Sequence, residues 1–265
     1  MSTAQERRPF AALAGGTVIG ALGGLIGLGG AEFRLPLLLS VFRFPPLEAI
    51  IVNKATSLIV VGSALIFRTR NVPIADVLAY AEVVVNLLVG SLLGAWIGAS
   101  WATRMRSTTL YKAIAVLLVV IAAVLLLGHD LTEAPGVPFD GWTLWIAGAV
   151  AGLVIGIVAS LLGVAGGELL IPTLVLLFGI DIKLAGSLSL AVSLPTMLVG
   201  FARYSRDRSF AVLAQHKAFL AWIAAGSILG TFIGAFLLGY VSAAILIPLL
   251  TLILLLSAIK VWRHT

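Results

Sequence analysis

Gly27-Leu28-Gly29-Gly30-Ala31-Glu32-Phe33-Arg34-Leu35-Pro36 sets three glycines, an acid, a base and a proline within an apolar stretch. A second version stands 136 positions on, as Gly163-Val164-Ala165-Gly166-Gly167-Glu168-Leu169-Leu170-Ile171-Pro172. Glycine clusters break a helix at little steric cost and let backbones approach closely. At membrane depth, broken backbone survives only where protein buries it or a wet cavity solvates it. What these two stretches mean therefore depends on whether the chain sits in water or in lipid.

Composition answers that. The 265 residues are 61% hydrophobic and 11% charged, with no cysteine. A soluble domain needs roughly 25% charged residues to cover its surface. Apolar stretches recur at about 48–67, 77–101, 110–128, 142–163, 184–202, 217–239 and 242–262. Each approaches the roughly 20 residues that cross a hydrocarbon core. The expected fold class is an all-α polytopic membrane protein in a lipid bilayer. Absence of cysteine excludes thiol chemistry, disulfides and cysteine-ligated metals, and no cofactor motif or metal site is legible. The formal charge of +6 sits at the ends of apolar segments, a topology signal and not a nucleic-acid face. Residues Met1 to Pro9 are polar and basic, and the apolar run after them has no convincing cleavage motif.

The 136-residue offset extends beyond the glycine motif. Gly16, Val18 and Gly20 fall on Gly152, Val154 and Gly156, and Phe42 falls on Phe178. Gly90-Ser91-Leu92-Leu93-Gly94 falls on Gly226-Ser227-Ile228-Leu229-Gly230, with Gly98 on Gly234. These small-xxx-small ridges read as helix packing. The chain thus divides into a first repeat at 1–128, a linker at 129–141 and a second repeat at 142–265. The linker has His129, Asp130, Glu133, Asp140 and two prolines but no Lys or Arg, so it reads as an extracytoplasmic loop.

Charge placement bears on how the halves relate. In one arrangement, each glycine break turns a re-entrant hairpin back to the side it entered, and three full crossings follow. The crossing count per half is then odd and the second repeat is inverted. With the N-terminus inside, this gathers Arg7, Arg8, Arg43, Arg104, Arg106, Lys112, Arg203, Arg206, Arg208, Lys217, Lys260 and Arg263 on the cytoplasmic side. If eight segments cross, Arg43, Arg104, Arg106, Lys112 and Lys183 move outside. The hairpin gives the cleaner positive-inside bias. Both termini are then cytoplasmic, and the expected location is a bacterial inner membrane.

Each break presents free N–H groups and the positive end of a helix dipole. Two such ends meeting from opposite sides make an anion site. The candidate substrate-binding residues are Gly29, Gly30, Ala31, Arg34, Asn53, Lys54, Thr56 and Ser57 in the first half, with Gly166, Gly167, Ser189 and Ser193 in the second. Ser187 also belongs to the hydroxyl-rich lining. Arg34 and Lys54 are the cations expected at membrane depth, where charge is costly and points to function. Snorkelling to the interface is the competing reading for Lys54. Their counterparts by offset are Leu170 and Leu190, so the cavity has a chemical polarity its backbone lacks. Glu32 and Glu168, in the first turn of each returning helix, fit either a capping role or a proton-coupling one. Glu82 and Asn86 are weaker lining candidates. For the hydroxyls, ordinary helix–helix hydrogen bonding is the competing reading.

The paired motifs resemble the duplicated glycine-glycine-x₄-proline motif of the TauE/SafE sulfite exporter family. Asn53-Lys54-Ala55-Thr56-Ser57 is similar to the hydroxyl-rich segment that follows the motif in that family. The resemblance implies a secondary transporter exporting sulfite, sulfoacetate or a related organosulfur anion, with proton coupling a further implication. Ala31 and Ala165 depart from the family's commoner glycines and leave the cargo open. Anion uptake, a channel and a non-transporting scaffold are the competing readings. An intramembrane enzyme is disfavoured because His129, His216 and His264 all lie at segment ends. The sequence leaves open whether the chain forms a homo-oligomer.

Overall fold

A computed structural model describes residues 9–26, 30–68, 74–127, 141–237 and 243–263. Every long element among these residues is a helix, in the order α1 (Pro9–Ile26), α2 (Ala31–Ser40), α3 (Pro46–Arg68), α4 (Ile74–Ala79), α5 (Ala81–Ala102), α6 (Ser107–Leu127), α7 (Gly141–Leu162), α8 (Gly167–Phe178), α9 (Ile182–Tyr204), α10 (Val212–Gln215), α11 (Lys217–Leu237) and α12 (Ala243–Trp262). A 3₁₀ turn, Arg208–Ala211, precedes α10. Six of the described helices are long and apolar enough to cross a membrane. The stretch read as one segment from 77 is two helices, α4 and α5, divided at Tyr80. The linker through Asp140, with His129, lies outside the described residues.

The helix boundaries repeat at the sequence offset. α3 and α9 each have 23 residues and begin and end 136 positions apart. α1 and α7 end at Ile26 and Leu162, and α2 and α8 begin at Ala31 and Gly167, again at that spacing. Packing repeats with the halves exchanged: α1 runs along α11 as α7 runs along α5, and α2 meets α12 as α8 meets α6. The glycine ridges make this approach possible. A Cβ at Gly16 or Gly20 would meet the backbone of Ile223 or Ser227, and one at Gly90 or Gly94 the backbone of Ala149 or Leu153. Each repeat thus gives its first helix to the other, and the two interlock. Val89, Leu93, Val150, Phe232 and Leu256 are exposed on the outside, as a surface facing lipid tolerates.

Within each half the chain turns back at the glycines. Gly15, early in α1, lies against Leu37 and Phe42 at the end of α2, while Gly30 lies against Ile19. In the second half, Gly148 lies against Phe178, and Gly166 against Ile155 and Ala159. The first hairpin opens at an end rich in cations. There Phe44 stands edge-on to His216 at 5.3 Å and Phe42 to Phe219 at 4.8 Å. A cavity of about 220 Å³ beside them is lined by Pro9, His216, Lys217, Phe219 and Trp222, among others. At the same end Arg203 Nε donates to Ser100 Oγ at 2.8 Å, Arg206 lies over Trp96, and Lys112 lies over Trp262. The second hairpin opens beside Asn86, near the start of α5 and away from the turn that carries Arg104 and Arg106.

Candidate anion-binding site

The short helices begin where their glycines require. Gly30 takes φ 70 and Gly166 φ 84, a left-handed conformation that side chains resist. Neither helix start has a side-chain cap. The pair of caps sits at equivalent positions, as the offset demands. Pro36 and Pro172 lie inside α2 and α8 and donate no N–H, which removes the usual partner of the Glu32 and Glu168 carbonyls. Gly27 and Gly29 lie outside the described residues.

Asn53 joins the two breaks. Its Nδ2 donates to Ala31 O, in the first turn of α2, and to Leu162 O, at the end of α7, each at 3.0 Å. Its Oδ1 accepts from Arg34 Nε at 2.8 Å. Arg34 Nη2 donates to Ser57 Oγ at 2.5 Å, and Nη1 donates to Ser227 Oγ at 3.1 Å on α11. Ser57 Oγ in turn donates to Asn53 O at 2.7 Å. One guanidinium therefore ties α2, α3 and α11 together across the two repeats. A buried charge is tolerated when its donors are matched this fully.

Lys54 is held on the opposite side of Asn53. α3 starts at Pro46, so Lys54 lies two turns inside the helix and is 0% exposed, which excludes snorkelling. Its Nζ donates to Ala159 O at 3.3 Å. Gly200 makes room for it: a Cβ there would come within 2.9 Å of both Lys54 Cε and Ser160 Oγ. Tyr204 OH donates to Ser160 O at 2.9 Å, closing this layer.

Glu32 and Glu168 are neighbours across the junction and interact electrostatically. Neither caps its helix. Each carboxylate is within electrostatic reach of its own backbone N–H, and none of the four oxygens has a hydrogen-bond partner among the described residues. Because Glu32, Arg34, Asn53, Lys54 and Thr56 are all 0% exposed, no gap beside these side chains admits water. Among the described residues, the junction is a packed polar core.

Other candidates stand apart. Thr56 Oγ1 donates to Val52 O and Ser189 Oγ to Gly186 O, so both hydroxyls serve their own helices. Ser193 Oγ and Ser187 Oγ are buried with no partner among the described residues. Glu82 is exposed while Asn86 is buried against Gly148, so the two do not share a lining face. Ser227 was legible in the ridge Gly226-Ser227 but only as a packing position. Ser160, Tyr204 and Gly200 had no sequence signal, because their contribution is a backbone carbonyl, a hydroxyl that reaches it and open space.

The family model described as sulfite exporter TauE/SafE matches residues 7–261. The chain belongs to this family. No curated protein and no solved structure matches it. Membership makes the chain a multi-pass membrane transporter of the sulfite exporter type, acting on a small anion across a lipid bilayer. Two uncapped helix starts and a buried guanidinium share one polar core, joined through Asn53.

Proposed function

We propose that this chain exports sulfite or a small organosulfonate such as sulfoacetate from the cytoplasm, through a site built on Arg34 between the two glycine breaks. The observation that carries this is Asn53, whose one amide bridges both breaks while its oxygen holds the guanidinium. A planar guanidinium engages the oxygens of a sulfonate or sulfite in pairs, which a halide does not allow. The polar partners of Arg34 occupy it in the closed state, and the anion replaces them when the bundle opens to one side.

The two repeats are read as inverted, with both termini cytoplasmic in a bacterial inner membrane. Supporting this, the first hairpin opens at the end where the cationic turns meet, and the second at the other. Alternating exposure then follows from one hairpin loosening while the other stays packed. Proton coupling is assigned to Glu32 and Glu168.

Flux in proteoliposomes tests the reading. Sulfite and sulfoacetate are expected to move down an imposed gradient, with sulfate and taurine slower, and an outward proton gradient is expected to speed efflux. Equal flux of all four, or flux of none, would overturn it, and accumulation driven inward would support the uptake reading instead.

A further inference from the structure

Glu32, in the first turn of α2, and Glu168, in the first turn of α8, are 0% and 3% exposed and lie within interaction distance of one another, at the two breaks that Asn53 bridges. Their four oxygens have no donor among the described residues, yet the carboxyls lie close enough to hydrogen-bond once one carries a proton. Each sits over the first turn of an uncapped helix, against its own backbone N–H. Arg34, on α2 itself, is the charge acting on Glu32, and Lys54 on α3 is the other cation at this depth. Neither α1 nor α7 contains a titratable residue, and Tyr111, Lys112, Lys183, Arg203, Tyr204 and Lys260 stand near the ends of α6, α9 and α12.

Two carboxylates side by side in a dry site do not both ionise. Two neutral carboxyls, conversely, leave a pair of positive helix ends and a guanidinium with no counter-charge. The intermediate state satisfies both constraints. We infer that Glu32 and Glu168 share a single proton in the empty carrier, and that their remaining negative charge fills the anion site. This rests on the reading that a sulfur oxyanion binds between the two breaks.

Binding then has a defined proton balance. As the anion arrives, the ionised carboxylate oxygen takes a proton from the aqueous side, and the pair becomes two neutral carboxyls. The anion's oxygens take the amide N–H groups of the two uncapped helix starts, which the carboxylates leave unbonded. On release the same proton leaves. Anion affinity therefore rises as pH falls, and each anion carries one proton. The internal charge also explains why a carboxylate stands beside an anion site at all: it is the occupant that substrate displaces.

The test uses the full-length protein in detergent with ethanesulfonate, which takes up no proton itself near neutral pH. A pH-indicator dye is expected to report about one proton taken up per anion bound, as for two carboxyls titrating as a unit. The double variant Glu32→Gln/Glu168→Gln is expected to bind the anion with no proton uptake and no dependence on pH. Anion binding to the natural chain without proton uptake, or with two protons, overturns the inference and leaves the transport reading standing. If no sulfur oxyanion binds, the transport reading falls, and infrared spectroscopy of the empty protein decides the shared proton by itself. One buried protonated-carboxyl band near neutral pH, absent from the double variant, is the expected result. No band, or two, overturns the sharing.

Discussion

At the first break, Gly30 takes φ 70 ahead of a helix carrying Glu32 and Pro36, and at the second, Gly166 takes φ 84 ahead of one carrying Glu168 and Pro172. The backbones are near copies. The side chains around them are not, since Arg34, Asn53 and Lys54 stand where the second half has Leu170, Ser189 and Leu190. Three of Arg34's nitrogens reach side-chain or backbone oxygens. Leu170, by contrast, is 1% exposed in a cluster with Leu174, Val175 and Leu188. The difference teaches that duplication preserved the backbone break in both halves, while the buried cations belong to one copy alone.

The severest way to break that comparison is Leu170→Arg, which gives the second half the first half's cation without its acceptors. An unmatched buried ion carries a penalty of several kcal/mol. The variant is expected to lose its folded peak in fluorescence-detected size exclusion. A folded variant that bound two equivalents of sulfonate would show that either half can host the charge.

The converse change, Arg34→Leu, makes the halves alike and is expected to lower sulfonate flux about 100-fold or more, the equivalent of losing one or two charge-assisted hydrogen bonds. Stability should fall less, by about 1–3 kcal/mol, because Asn53 Oδ1 loses its donor. Flux and thermal melting on the same preparation separate the two effects.

Gly30→Ala and Gly166→Ala sharpen the comparison of backbones. Both force a side chain into the left-handed region, at about 1–2 kcal/mol. At Gly30 the added Cβ also meets the carbonyl oxygen of Ile19, whereas at Gly166 it meets only Ala159 and Ile155 side chains at 3.2 Å. Gly30→Ala should therefore melt lower, by a further margin of about 1 kcal/mol or more. Equal losses would mean that the backbone around Ile19 adjusts freely.

The smallest contrast is between the matched serines. Ser57→Ala removes an acceptor of Arg34 and is expected to lose about 1–2 kcal/mol. Ser193→Ala removes a hydroxyl with no partner among the described residues and is expected to stay within about 0.5 kcal/mol. Paired melting curves measure both.

Much of the architecture was legible because it depends on local pattern. Apolar runs of spanning length, glycines that break them and a 136-residue offset follow from residue types alone, and helix ends such as Ile26 and Leu162 fall where that offset puts them. Arg34 and Lys54 stood out because a cation in an apolar stretch is costly wherever it points. The snorkelling reading of Lys54 failed, because α3 starts at Pro46 and sets Lys54 two turns inside the helix, where it is fully buried. The Glu82–Asn86 pairing failed for a related reason: one turn of separation does not fix which residue meets a neighbour and which meets lipid.

Sequence alone determined that this chain spans a membrane in two related halves, each interrupted at a glycine cluster, because hydrophobicity and backbone permissiveness are properties of residues. Only the tertiary structure decided that Asn53 bridges both interruptions, that Arg34 reaches Ser227 in the other repeat, and that Glu32 meets Glu168. Those are contacts between positions 109 to 193 residues apart for the first two. Nothing local distinguishes a serine on a packing ridge from one that receives a guanidinium, since the partner is supplied by how the two repeats interlock.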